Sequence, residues 1–350
     1  MEKRKLKNNW TLQSWAKFNL LQQPKWPDPK KYEKIIEKVS NLPSLIVPDE
    51  IMNLKNRLKK VESGDAFLLQ GGDCAETFKE FSENNIKNKL KILYQMATII
   101  SHGSSIDVLK IGRIAGQYAK PRSSNIETRD GVTLPSYKGD SINDIAFNLQ
   151  ARIPNPDRLL KAYNQSLATL NLLKSLIKNE FNNLDYFELW DNHKLNNPGI
   201  YNRFQKTIDQ IDQSIKFVNV LDEKIDLFDE KRFNEFYVSH ESLILAYESA
   251  LTRKIDLNNY YNASAHMVWL GDRTRNINSA HVEYLRGIIN PIGIKCGPNA
   301  NIKDLELIIK KINPNNENGK IILICRFGNK NIKEKLPDII NMINKQKLNV

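Results

Sequence analysis

Six short apolar runs along the chain each stop at a residue suited to hold an anion, a metal or a proton. They occupy residues 66–70, 106–111, 236–238, 267–270, 291–294 and 321–325, and lead to Cys74, Arg113, His240, the pair Asp272 and Arg273, Lys295, and Arg326. Helical spacings separate most of the runs, which is the rhythm of a parallel sheet covered by helices. In a parallel barrel the strand interiors are apolar and reactive groups sit at the C-terminal strand ends. A polarity repeated strand after strand therefore assembles one site from distant residues. Three arginines, a lysine, an acid and a thiol at one mouth suit a phosphorylated carboxylate beside a thiophilic metal.

The 350 residues suffice for one large α/β domain or two smaller ones. No apolar stretch has the length needed to span a bilayer, so no membrane partner is expected. The N-terminal stretch MEKRKLKNNWTLQSW is basic but carries no apolar signal core, so a cytoplasmic location is expected. Three cysteines, Cys74, Cys296 and Cys325, do not make a paired disulfide framework. Cys296 and Cys325 lie in or beside strands, where a cysteine is usually a small buried hydrophobe. Cys74 differs, because it follows Gly71-Gly72-Asp73 at a strand end. The formal charge is +12, but the lysines are scattered among Asn and Ile rather than gathered in a stripe with stacking aromatics. Nucleic acid is therefore not the expected partner, although a basic surface helps to attract anionic metabolites.

Residues 1–62 read as an N-terminal extension. Trp10, Trp15 and Trp26 stand among polar residues and prolines, and helices are predicted over 31–39 and 51–61; the aromatics are expected to pack within the chain. Residues 63–350 read as an incomplete (β/α) barrel. A helix is predicted over 83–100, with Ile86, Leu90, Leu93 and Met96 at helical spacing. After the second strand comes the loop AGQYAKPRSSNIETRDGVTLPSYKGD, long enough to be functional. Residues 141–232 read as a helical insertion, with amphipathic stretches at 158–176 and 208–220. Alternation then resumes, with helices predicted over 243–252, 279–287, 305–312 and 333–345. The fold class is α/β, a TIM (β/α)8-type barrel with about six of its eight strands present. Because an unclosed barrel exposes unpaired strand edges, the sequence is expected to be a fragment.

Arg113, Arg273 and Arg326 are the leading candidates, since the guanidinium fork matches phosphate and carboxylate bidentately. A lone arginine is ordinarily a surface ion pair; three at successive strand ends argue for the anion. Lys295 adds a point charge. Cys74 suits a thiophilic metal, or equally an inert thiol in a tight turn, and no CxxC or HxxxH pair accompanies it. His240 and Glu241 are read as acid–base or supporting groups, or as satisfied structural residues. Lys120-Pro121-Arg122-Ser123 offers donors on a stiff backbone for a second phosphate. Nucleotide-binding glycine patterns are absent.

Eight segments in order resemble the type II (plant-like) 3-deoxy-D-arabino-heptulosonate 7-phosphate (DAHP) synthase family: LLQGGDCAETF, KIGRIAGQYAKPRS, DGVTLPSYKGD, AYNQSLATLNLL, SHESLILAYESALTR, SAHMVWLGDRTR, AHVEYLRGIINPIGIKCGPN and CRFGN. The resemblance runs from about Trp10 to the C-terminus. It implies a metal-dependent transferase that condenses phosphoenolpyruvate with erythrose 4-phosphate and water at the entry to the shikimate pathway. It implies a divalent cofactor, Mn²⁺ or Co²⁺ foremost and Zn²⁺ or Fe²⁺ as alternatives, with Cys74 as one ligand. By motif, Arg113, Asp272, Arg273, Lys295 and Arg326 correspond to phosphoenolpyruvate-binding residues, and Lys120, Arg122 and Ser123 to the loop holding the aldose phosphate. Arg113, Lys120, Arg273 and Lys295 carry the catalytic role, in what is expected to be a homo-oligomer when complete. Asp272 stands where the family usually has Glu. The family's other metal ligands, a His, a Glu and an Asp, belong beyond a seventh-strand region missing here, so the chain as given is expected to be inactive or unstable. Two alternatives are the same reaction in a secondary, phenazine-type pathway and a non-catalytic remnant retaining phosphate affinity.

Overall fold

In the computed structural model, which describes residues 10–179, 205–211, 213–214, 235–257 and 259–350, the six apolar runs become the strands of one curled parallel sheet. A 3-10 turn at Ser14–Lys17 precedes two helices, α1 (Pro29–Ser40) and α2 (Pro48–Glu62). Both begin on proline, whose missing N–H is no loss in a first helical turn. Asp28 caps α1 by accepting from the Lys31 N–H at 2.9 Å. Then come β1 (Ala66–Gly72), α3 (Glu83–Ser104), β2 (Asp107–Arg113), the short strands β3 (Ile126–Arg129) and β4 (Val132–Pro135), α4 (Leu149–Arg152) and α5 (Asp157–Asn179). The chain continues with β5 (Tyr237–Glu241), α6 (Leu245–Ala250), β6 (Thr252–Lys254), β7 (Tyr260–Asn262), β8 (Met267–Leu270), α7 (Ala280–Leu285), β9 (Ile292–Cys296), α8 (Ile302–Ile312), β10 (Ile321–Cys325) and α9 (Gly328–Gln346).

The strand order is β1-β2-β5-β8-β9-β10, parallel throughout, so each strand lies beside the strand of this sheet that precedes it in the chain. Period-two alternation divides the strand residues between two faces. Leu68, Leu109, Ile111, Tyr237, Met267, Ile322 and Ile324 gather on the concave face, where Leu54 and Leu58 of α2 pack among them. The amphipathic helix α2 thus fills the bottom of the curled sheet. Val238, Val268, Leu270, Ile292, Ile294 and Ile321 face the other way, into the larger core shared with the helices.

Several expectations shift at this level. Strand β5 extends beyond the 236–238 run, so His240 and Glu241 lie inside it, on opposite faces. Arg113 and Lys295 lie inside β2 and β9, at or next to their C-terminal ends, as the strand segments read from the sequence place them. The long loop contains the antiparallel pair β3/β4. Asp130 and Gly131 both have positive φ at its turn, as a two-residue type I′ hairpin demands. The helix predicted over 243–252 stops at Ala250 because a second hairpin, β6/β7, begins there. The 158–176 prediction falls within α5, whereas residues 141–156 hold only the short α4. Of the 208–220 stretch, residues 208–211, 213 and 214 are helical and the others lie outside the described residues, as does most of 180–232.

The N-terminal aromatics pack within the chain. The Trp10 indole N–H donates to the Glu283 carbonyl at 2.9 Å, its ring meets Tyr260 edge-on at 5.1 Å, and Trp26 stacks on Tyr32 at 4.8 Å. No described helix is long and apolar enough to cross a membrane.

Candidate active site

At the C-terminal strand ends, the apolar concave face gives way to polar side chains. Its polar floor is Gln70, whose amide donates to Ser239 Oγ at 3.1 Å, while Ser239 Oγ donates to the Gly112 carbonyl at 3.1 Å. Trp269, buried at the end of β8, is the platform above. The Arg113 guanidinium lies 4.8 Å from its ring centroid and Lys295 Nζ 5.1 Å, both within cation–π range. Two cations from β2 and β9, separated by 182 positions of the numbering, meet over one ring.

Glu241 sits beside them and is nearly inaccessible. Its Oε2 accepts from Lys295 Nζ at 3.0 Å and from the Trp269 indole N–H at 3.2 Å. The other oxygen, Oε1, is buried and accepts no hydrogen bond. It points at Gly271, where a Cβ would come within 2.0 Å of it; only glycine leaves room. Arg113 Nη2 donates to the Cys74 carbonyl, and Arg113 Nε, also buried, has no acceptor. Burial pulls the Arg113 pKa down; Cys74 and Glu241 oppose that, and the like charge of Arg326 adds to it. Arg326 itself is exposed at the head of β10. Like charges drawn together with donor capacity unused make a ready anion site.

A buried carboxylate missing from the sequence reading locks the surrounding loops. Glu76 accepts the backbone N–H groups of Ala115, Gly116 and Gln117 at 3.0, 2.9 and 2.7 Å. Burial raises its pKa, and those three donors oppose the rise without cancelling it. Gln117 in turn accepts the Glu241 N–H at 2.8 Å. The loops after β1 and β2 are thereby tied to the strand that carries the central carboxylate. Glu76 lies in the AETF motif two residues after Cys74, and Gln117 in GQYAKPR. An acid two residues past a reactive thiol was the available signal, along with Trp269 immediately before the LGD turn.

The other predicted residues occupy several positions around this centre. Asp272 Oδ1 accepts from Arg275 Nη2 at 2.8 Å and from the Gly297 N–H at 3.0 Å. Partial burial would raise its pKa, but those donors and the charges of Arg275 and Arg273 hold it below the usual carboxylate range. Asp272 thus clasps the segments after β8 and β9 together. Arg273 is exposed and makes no hydrogen bond or ion pair among the described residues. Arg122 pairs with Glu127 at 3.2 Å, and its N–H donates to the Gln22 side chain at 2.9 Å. Lys120 is held by its backbone, N–H to the Lys138 carbonyl at 2.8 Å, and Ser123 is exposed. His240 turns away from the concave face. Its Nε2 lies 3.0 Å from Glu248 Oε1 and 3.2 Å from Ser264 Oγ in a buried polar network, which gives it the structural role.

Cys74 is exposed at the mouth. Among the described residues no three His, Cys, Asp or Glu side chains gather as a metal-binding set. Among the described residues the mouth therefore offers Cys74 as its one thiol and no complete ligand set for a divalent metal.

A family model described as the Class-II DAHP synthetase family matches residues 10–350. The chain is 40% identical over 334 residues to a Streptomyces coelicolor protein named phospho-2-dehydro-3-deoxyheptonate aldolase, a match covering 94% of this chain and 73% of that one. It is 39% identical over 349 residues to a Neurospora crassa protein of the same name, with 95% and 72% covered.

Proposed function

Because the chain belongs to the class-II DAHP synthetase family, we propose that it condenses phosphoenolpyruvate with erythrose 4-phosphate and water to give DAHP and phosphate, the opening step of the shikimate route. The curled sheet is read as six strands of a TIM-type (β/α)8 barrel with the reaction at its C-terminal mouth. The observation that carries the reading is the meeting of Arg113 and Lys295 over Trp269, with the Glu241 carboxylate on Lys295 and Arg326 close enough to repel Arg113.

In this reading Arg113, Lys295 and Arg326 take the phosphate and carboxylate of phosphoenolpyruvate, and Arg273 reaches in from the β8 end. Lys120, Arg122 and Ser123 take the phosphate of the aldose. Neutralising two polyanions so that they approach each other is the chief contribution of these side chains. The enol C3 attacks the aldehyde carbon, whose oxygen takes up the proton that Glu241 relays from the water added in the next step. Water adds to the cationic C2, giving up a proton to Glu241, and the phosphohemiketal collapses to the ketone with loss of phosphate. A divalent metal, Mn²⁺ or Co²⁺ foremost, would take Cys74 as one ligand and activate the aldehyde. None of the roles assigned above is routed through it.

The test is phosphate release from the two substrates together, with Mn²⁺ or Co²⁺ supplied. Release that requires both substrates, and is lost in Arg113→Ala and Lys295→Ala, is the expected result. Release unaffected by either substitution would remove the assignment of the mouth.

A further inference from the structure

The helix-facing side of the sheet carries chemistry that the mouth does not use. Cys296 ends β9 and Cys325 ends β10, and the two are direct partners in the parallel register. Neighbouring strands lie about 4.8 Å apart, inside the roughly 4.4–6.8 Å between Cα atoms that a disulfide spans. Opposed residues of parallel strands project to the same face, so the two Cβ atoms point alike. Both thiols are free; Cys296 Sγ donates to the Ile294 carbonyl at 3.6 Å, and the neighbouring sulfur holds the Cys325 pKa down and, with burial, pushes that of Cys296 up. Cys296 is fully buried, whereas Cys325 is partly exposed. An incoming reagent therefore meets the better thiolate first, with a resolving thiol opposite it in the strand register behind.

We propose that Cys296 and Cys325 form a dithiol site that exchanges with a low-molecular-weight disulfide to close a reversible cross-strand bond between β9 and β10. The Cys325 thiolate attacks one sulfur of RSSR, forming a mixed disulfide and releasing RS⁻. Cys296 gives its proton to that thiolate, attacks Cys325 Sγ and expels the second RS⁻. The two cysteines together lose two electrons and two protons, and RSSR leaves as two RSH.

The bond closes immediately behind the mouth. Lys295 precedes Cys296, Arg326 follows Cys325, and the Arg326 N–H donates to the Cys296 carbonyl at 2.8 Å. Drawing two sulfurs to about 2.05 Å shifts both strand ends, and with them Lys295 and Arg326. This consequence rests on the proposed reading of the mouth as the enol-phosphate site; the exchange itself does not.

The whole chain is incubated with oxidised glutathione, its remaining thiols are alkylated, and its peptides are mapped by mass. The expected product joins Cys296 to Cys325 with loss of two hydrogens, leaves Cys74 alkylated, and reverts with dithiothreitol; Cys325→Ser gives no such product. Persistent glutathione on Cys325 without the internal bond, or Cys74 in the crosslink, would overturn the proposal. Titration calorimetry with phosphoenolpyruvate then compares the reduced and crosslinked forms. A loss of affinity on the order of ten- to a hundredfold is expected from displacing positioned groups, and equal affinity refutes the link to the mouth. If the reduced chain binds no phosphoenolpyruvate, the reading of the mouth fails, while the peptide map still decides the dithiol.

Discussion

At the scale of single residues, the site turns on a carboxylate with one oxygen satisfied and one left bare. Glu241 Oε2 is engaged by Lys295 and Trp269, so the unpartnered Oε1 is the atom left to accept a hydrogen bond or a proton. Glu241→Gln keeps the shape but removes the proton acceptor and the counter-charge of Lys295. Turnover at saturating substrates is expected to fall by about 10²- to 10⁴-fold, the usual range for a positioned base; phosphate-release kinetics measure it, and a loss confined to KM would exclude the role. Gly271→Ala probes the same atom from behind. Its Cβ would stand 2.0 Å from Oε1, so the carboxylate must swing off Lys295. A stability loss of about 1–3 kcal/mol, the range for overpacking, is expected in urea unfolding, accompanied by lower turnover. Stability and rate both unchanged would mean that Glu241 has room elsewhere.

At the scale of elements, α2 decides whether the concave face is a packed interior or an open trough. Leu54 and Leu58 are both buried among the strand residues. Leu58→Ala leaves a cavity there, and a loss of about 2–5 kcal/mol is expected from the urea midpoint; a loss under about 1 kcal/mol would show that the helix only rests on the sheet. The strands themselves were legible, because apolar runs ending in charge have few other readings. The placement of Arg113 and Lys295 followed from strand polarity alone. What escaped was anything decided by alternation at a strand's last residues. His240 and Glu241 are adjacent, and only the register of β5 sends one to the helices and the other to the mouth. Asp130-Gly131 was a readable hairpin signal passed over because its flanks, Ile126–Arg129 and Val132–Pro135, are mostly exposed and carry little apolar alternation. Glu76 and Gln117 were hidden for another reason: a side chain that holds a loop through backbone N–H groups leaves no pattern in the loop it holds.

At the scale of the whole molecule, acid should loosen the fold through histidines kept neutral in its interior. His266 accepts the Val238 N–H on Nδ1 at 3.0 Å, which requires an unprotonated nitrogen. His281 contacts the Leu243 carbonyl through Nε2 at 3.1 Å, and its buried Nδ1 has no partner to receive a second proton. Burial lowers both from 6.5 to about 4; Glu50 opposes this at His266, and the Leu243 carbonyl and Glu248 oppose it at His281. Since the folded values lie below the unfolded ones, the unfolded chain binds more protons between pH 6.5 and 4, and stability falls as pH drops through that window. Each histidine contributes on the order of 3 kcal/mol across it. Glu76 and Glu235, raised chiefly by burial, act in the opposite sense, so the histidine share is isolated by substitution. Urea midpoints measured from pH 7 to 4.5 are expected to decline less steeply in His281→Asn, whose amide still donates to Leu243 but takes up no proton. Equal slopes in the two proteins would mean that His281 is already charged in the folded state.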